Sequence, residues 1–100
     1  RPIREVFLEQ VAAQTHVVNV VFPQPAQTKV SVLLDRELDE VSFRVFDTHG
    51  RQVMGADNMT LSVPGLLDVS VTQLASGMYV LRVATADGHT QALPLMVRRR

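Results

Sequence analysis

Chemistry in these 100 residues would have to come from side chains that can hold a proton, a metal ion or a nucleophile. The three histidines, His16, His49 and His89, are far apart in the chain, and no cysteine accompanies them. A zinc site needs ligands gathered at short range, so these three read as separate surface histidines. Asp35, Glu37, Asp39 and Glu40 are clustered carboxylates of the kind that calcium takes. They lack the ligand register and sharp glycine turn of a calcium loop and read as a solvated connection. Ser76 precedes Gly77, but no strand-turn-helix elbow of the Gly-x-Ser-x-Gly kind surrounds it. No glycine-rich phosphate cradle occurs. Asn58-Met59-Thr60 has the spacing of a glycosylation acceptor, a pattern short enough to arise by chance. Arg98, Arg99 and Arg100 could meet phosphate or lipid headgroups, or simply be solvated. The sequence therefore predicts no catalytic residue, no metal site and no cofactor, and leaves binding and structural roles.

Composition narrows those roles. The formal net charge is zero, so no long-range field selects nucleic acid or an anionic membrane. The hydrophobic share of 46% is that of a folded domain, and the length is that of a single domain. The absence of cysteine removes disulfides and thiolate metal sites, which fits an intracellular protein or an exported domain that manages without disulfides. No apolar run approaches the roughly 18–20 residues that span a bilayer. The sequence opens on Arg1 without a basic-then-apolar leader, as a piece of a longer protein would.

The elements are read from periodicity. Residues 1–14 carry Ile3, Val6, Phe7 and Val11 at helix-like spacing over too few turns to stand alone. They are expected to be a linker or a docked first segment, ahead of one domain over 15–100. His16 to Phe22 is β-branched and stops at Pro23 and Pro25, which lack amide donors. Val30, Val32 and Leu34 alternate, as do Val41, Phe43 and Val45, with the charged stretch Asp35–Glu40 between them. Asp47-Thr48-His49-Gly50-Arg51 reads as a hairpin turn with Gly50 at positive φ, followed by a short strand to Met54. Gly55-Ala56-Asp57-Asn58 reads as a breaker and Met59–Val63 as a further strand, interrupted at Pro64-Gly65 before an extended Leu66–Val71. A Ser76-Gly77 corner feeds a central strand with Tyr79, Leu81 and Val83 on one face and Met78, Val80 and Arg82 on the other. Asp87-Gly88 turns into a last strand, His89–Val97, where Pro94 requires an edge position or a bulge. Short strands at roughly 8–12-residue intervals, about seven in all, predict an all-β, seven-stranded immunoglobulin-like antiparallel sandwich.

Three signatures stand in order along these strands: Val21-Phe22-Pro23-Gln24-Pro25-Ala26, then Phe43 through Val53 around Asp47, Gly50 and Arg51, then Leu74 through Val83 around Gly77 and Tyr79. Together they resemble the type A C-terminal sorting domain of the type IX secretion system. That family runs aromatic-Pro-Asn-Pro-Ala, then hydrophobic-aromatic-Asp-x-x-Gly-Arg-x-Val, then Leu-x-x-Gly-x-Tyr. The likeness covers about Val20 to Arg100, with one departure: Gln24 stands where the family has Asn, and its longer side chain bonds less locally.

The resemblance implies a non-catalytic address label on a larger exported protein. Its partners would be the outer-membrane type IX translocon, a sortase-like peptidase and an N-terminal cargo domain. The parent would cross the periplasm and end at the cell surface or outside. Pro23, Pro25, Ala26, Asp47, Gly50, Arg51, Gly77 and Tyr79 carry the family motifs and are candidates for turn formation or recognition. The last strand either offers an edge for recognition or closes the sandwich. The competing readings are a carbohydrate-binding module and a spacer domain. Sugar sites generally use exposed aromatic platforms, and here Trp is absent and the one Tyr falls in an inward row.

Overall fold

A computed structural model describes residues 17–98. The expectation for residues 1–14, and those for His16, Arg99 and Arg100, fall outside the described residues. Seven strands follow in order: β1 (Val18–Phe22), β2 (Lys29–Leu34), β3 (Glu40–Phe46), β4 (Gln52–Thr60), β5 (Leu66–Ser70), β6 (Gly77–Thr85) and β7 (Thr90–Val97). They form a three-stranded sheet, β1-β2-β5, and a four-stranded sheet, β4-β3-β6-β7, with every strand pair antiparallel.

Alternation dictates how the sheets meet. β2 buries Val30, Val32 and Leu34, and β5 buries Leu67 and Val69. From the other sheet come Val41, Phe43 and Val45 of β3, Leu81 and Val83 of β6, and Leu95 and Val97 of β7. All belong to one continuous cluster, so the two inner faces pack into a single sandwich core. Each fully buried Val or Leu contributes roughly 1.5–3 kcal/mol, and no disulfide supplements them. β3 and β6 are the inner strands of the larger sheet, and β7 is an edge, where Pro94 is tolerated.

Two expectations are corrected. Gly55-Ala56-Asp57-Asn58 does not break the chain; it lies inside β4, which runs on through Met59 and Thr60. The register with β3 shifts twice, between Val41 and Phe43 and between Val45 and Phe46, so the extra residues are absorbed as bulges. Asn58, at φ 50°, donates its amide to Ser42 Oγ at 3.0 Å instead of to the ladder. Met59–Val63 is accordingly no separate strand. Leu61 to Val63 leads to a tight turn in which Leu66 N donates to Val63 O at 3.0 Å. Pro64 and Gly65 (φ 81°) fill the middle of that turn in the type II pattern.

The corner before β6 is made in two steps. Gly77, at φ 157°, follows the bend at Ser76 and opens the strand in a conformation that residues with a side chain rarely adopt. The chain reverses earlier, where Leu74 N donates to Val71 O at 3.0 Å.

Candidate functional site

The three sequence motifs converge. Phe46, at the end of β3, pairs with Val80; Gly77, at the start of β6, pairs with Val97; and Ala26 forms a parallel bridge to Val97. The Pro23–Ala26 loop, the 47–51 hairpin and the corner before β6 therefore lie at one end of the four-stranded sheet. Val17 O accepts from Asp35 N at 2.7 Å and β1 begins opposite Leu34, so the described chain enters at the other end.

Each motif has a local physical reason. In the hairpin, Asp47 Oδ1 accepts from the amides of His49 (2.9 Å) and Arg51 (3.0 Å), and Oδ2 accepts from Arg51 Nε at 2.9 Å. Gly50, at φ 81°, donates its amide to Asp47 O and supplies the left-handed residue that the turn requires. The Arg51 amide, more than any other group, holds the Asp47 carboxyl below the usual carboxylate range; partial burial opposes it, and the His49 amide and the Arg51 guanidinium add to it. A carboxyl whose pKa falls on folding stabilises the fold above its unfolded pKa, about 3.9, and loses that contribution as pH falls through the folded value. Asp47→Asn should therefore melt below the wild type at pH 7, with the gap closing as pH drops below about 4. Melting curves from pH 7 to pH 2 test this; a gap that does not vary with pH would count against it.

At the corner, the Tyr79 hydroxyl donates to Ala75 O at 2.7 Å, which ties the start of β6 to the loop before it. This is the arrangement of a tyrosine corner. Tyr79 is half-buried against the core with its polar end committed.

The proline loop does more than stop β1. Both of its X-Pro bonds, Phe22-Pro23 and Gln24-Pro25, are cis. Gln24 Nε2 donates to Pro94 O at 3.1 Å, and Gln24 Oε1 accepts from Met96 N at 3.0 Å. Ala26 then donates to Met96 O and accepts from Arg98 N, both at 2.8 Å. The side-chain amide acts as a peptide group would, and the loop covers the outer edge of β7 from Pro94 to Arg98. Further back, Gln91 Oε1 accepts from the amides of Val17 and Val18. Of the two roles left open for the last strand, this end of it closes the sandwich. Sequence reasoning named Pro23, Pro25 and Ala26 but not the Gln24 contacts, because the partners are about 70 residues away.

His49 is exposed in the hairpin, while His89 lies 3.8 Å from Asp87 at the opposite end. Asp35 pairs with Arg36, which also reaches Asp87. Among the described residues no three His, Asp, Glu or Cys side chains group as a metal site requires.

A protein-family model described as a secretion system C-terminal sorting domain matches residues 20–95, a span that contains all three motifs. No curated relative matches the chain. Among solved structures, CopC from Methylosinus trichosporium OB3b is similar at 23% identity and a TM-score of 0.51, covering 91% of this chain and 89% of that one. At that identity the likeness is one of fold.

Proposed function

The chain belongs to the family of secretion system C-terminal sorting domains, those of type IX secretion, and from that footing we propose that the end carrying the three motifs is what the outer-membrane translocon reads. As a sorting signal it directs export toward the cell surface or the extracellular space. The carrying observation is the convergence: residues separated by about 50 positions in the sequence meet at one end of one sheet. That end presents rigid turns, held by Asp47, Tyr79 and Gln24, and the chain enters the domain at the opposite end. A translocon that handles unrelated cargoes needs a surface that does not depend on what precedes it, and this geometry provides one.

On this reading Pro23, Pro25, Asp47, Gly50, Arg51, Gly77 and Tyr79 shape the recognised surface, the buried Ala26 holds the loop to β7, and none takes part in catalysis. The cargo precedes the domain and passes through the periplasm. A sortase-like peptidase then cuts before residue 15, ahead of β1, because proteases take extended, accessible backbone as substrate. The carbohydrate-binding alternative is the weaker reading, since Tyr79 and Phe46 are half-buried and Phe43 buried, which leaves Phe22 as the one exposed ring among the described residues, short of a stacking platform.

The test is a secreted reporter carrying an N-terminal export signal and residues 1–100 at its end, expressed in a bacterium with type IX machinery. Reporter in the medium or on the cell surface is expected, and retention in the periplasm is expected in a strain lacking the translocon. Periplasmic retention in the competent strain, with the domain folded, would overturn the proposal. Sequencing the N-terminus of any released domain locates the cut.

A further inference from the structure

The outer face of the four-stranded sheet carries an arrangement that neither the core nor the motifs explain. Arg44 of β3 and Arg82 of β6 stand directly opposite one another in register. Like charges at directly opposed positions destabilise a sheet. Arg44 is offset: its guanidinium pairs with Asp57 of β4 and donates to Phe43 O at 3.1 Å. Arg82 is exposed and has no carboxylate partner among the described residues. The two arginines line a trough of about 340 Å³ together with Asp57, Ser42 and Thr90. Two guanidiniums and one carboxylate leave a single uncompensated positive charge there.

We propose that this trough binds the carboxylate of an acidic side chain on a partner protein, with Arg82 as the forked donor and Arg44 as a fixed neighbouring cation. A planar guanidinium matches a carboxylate through two parallel hydrogen bonds, and one negative charge balances the site. What lies beside the trough identifies the partner further. The next row on the same face is apolar: Val80 pairs with Phe46 on one side and Pro94 on the other, and Met78 pairs with Met96 beyond them. Val80, Met78 and Met96 each keep about two-fifths of their surface exposed. Along β6, Arg82, Val80 and Met78 are spaced two residues apart, about 6.6 Å per step. The occupant that fits is an extended segment with an acidic residue followed by apolar residues two and four positions on. A free phosphate would satisfy the arginines but leave the apolar row uncovered.

The inference stands on the sheet face and not on the sorting role, so a failed secretion assay leaves it untouched and its own failure leaves the sorting role untouched. The probe is the peptide Ac-Thr-Glu-Thr-Val-Thr-Val-NH2, titrated into the labelled domain and followed through the arginine Nε–H and backbone amide resonances. Saturable shifts at Arg82 and Arg44 are expected, about tenfold weaker affinity for Arg82→Gln, and an intermediate value for Arg82→Lys, which keeps the charge but loses the fork. The Gln version of the peptide should bind as weakly as Arg82→Gln does. Equal binding by the wild type and Arg82→Gln, or by the Glu and Gln peptides, would sink the proposal. So would inorganic phosphate that outcompetes the peptide at equal ionic strength. Should Arg82→Gln fail to fold, the two peptides still decide the matter on the wild type.

Discussion

Phe43→Ala should destabilise the domain by about 3–5 kcal/mol, the range for truncating a buried aromatic. Phe43 is 5% exposed in the middle of β3, with β4 on one side and β6 on the other. Its neighbours across the ladder are Ala56 and Val83, and strands held on both sides cannot move in to fill the space. Small domains typically have only about 5–15 kcal/mol of stability, so much of the total is at stake. Urea unfolding of the wild type and variant measures it, with an unchanged slope showing that the unfolded state is comparable. Tyr79→Phe is the control: it keeps the ring, removes only the bond to Ala75 O, and should cost about 1 kcal/mol. A loss for Phe43→Ala no larger than that would mean the core relaxes far more than its strand order allows.

The contrast between these two aromatics shows where sequence reading is strong. Period-2 alternation is a local signal, and it placed Val30, Val32, Val41, Phe43, Val45, Leu81 and Val83 inward, as found. Pro94 marked an edge because it lacks an amide donor, and β7 is one. The Asp47 hairpin was legible because all its bonds lie within five residues. The Gln24 clamp on β7 was not, because nothing local announces a side chain that bonds across some 70 positions. Tyr79 looked as fully buried as Phe43 by alternation alone; it is half-exposed because it lies near the end of the sheet, beside the corner that it ties. The pairing of Arg44 with Arg82 depends on the register between β3 and β6, which the intervening two strands hide.

Gly55 is the sharpest case of a residue whose sequence signal misleads, and it leads to the second large effect. A glycine followed by Ala-Asp-Asn looks like a turn, yet Gly55 pairs with Arg44 in the middle of a strand. It is needed for close approach and not for turning. A Cβ there would stand 2.8 Å from Phe43 O, 3.1 Å from Arg44 Cδ and 3.1 Å from Gln52 Nε2. The two side chains need give only a few tenths of an ångström, but the carbonyl belongs to the backbone of β3 and cannot. Gly55→Val should therefore cost about 1–3 kcal/mol through overpacking, although valine favours strands. Gly50 makes the comparison decisive. Nothing lies within 4 Å of its missing side chain, so Gly50→Ala suffers only from the left-handed φ of 81°, about 1–2 kcal/mol at most. Thermal melts of the two variants, with amide exchange along β4, separate the causes. Gly55→Val should loosen protection between the two bulges that flank it, where Gly50→Ala should leave β4 intact beyond the turn. If Gly55→Val instead raised the melting temperature, strand propensity would outweigh the carbonyl contact, and the close approach of β4 to β3 would be a tolerance of the fold and no longer one of its requirements.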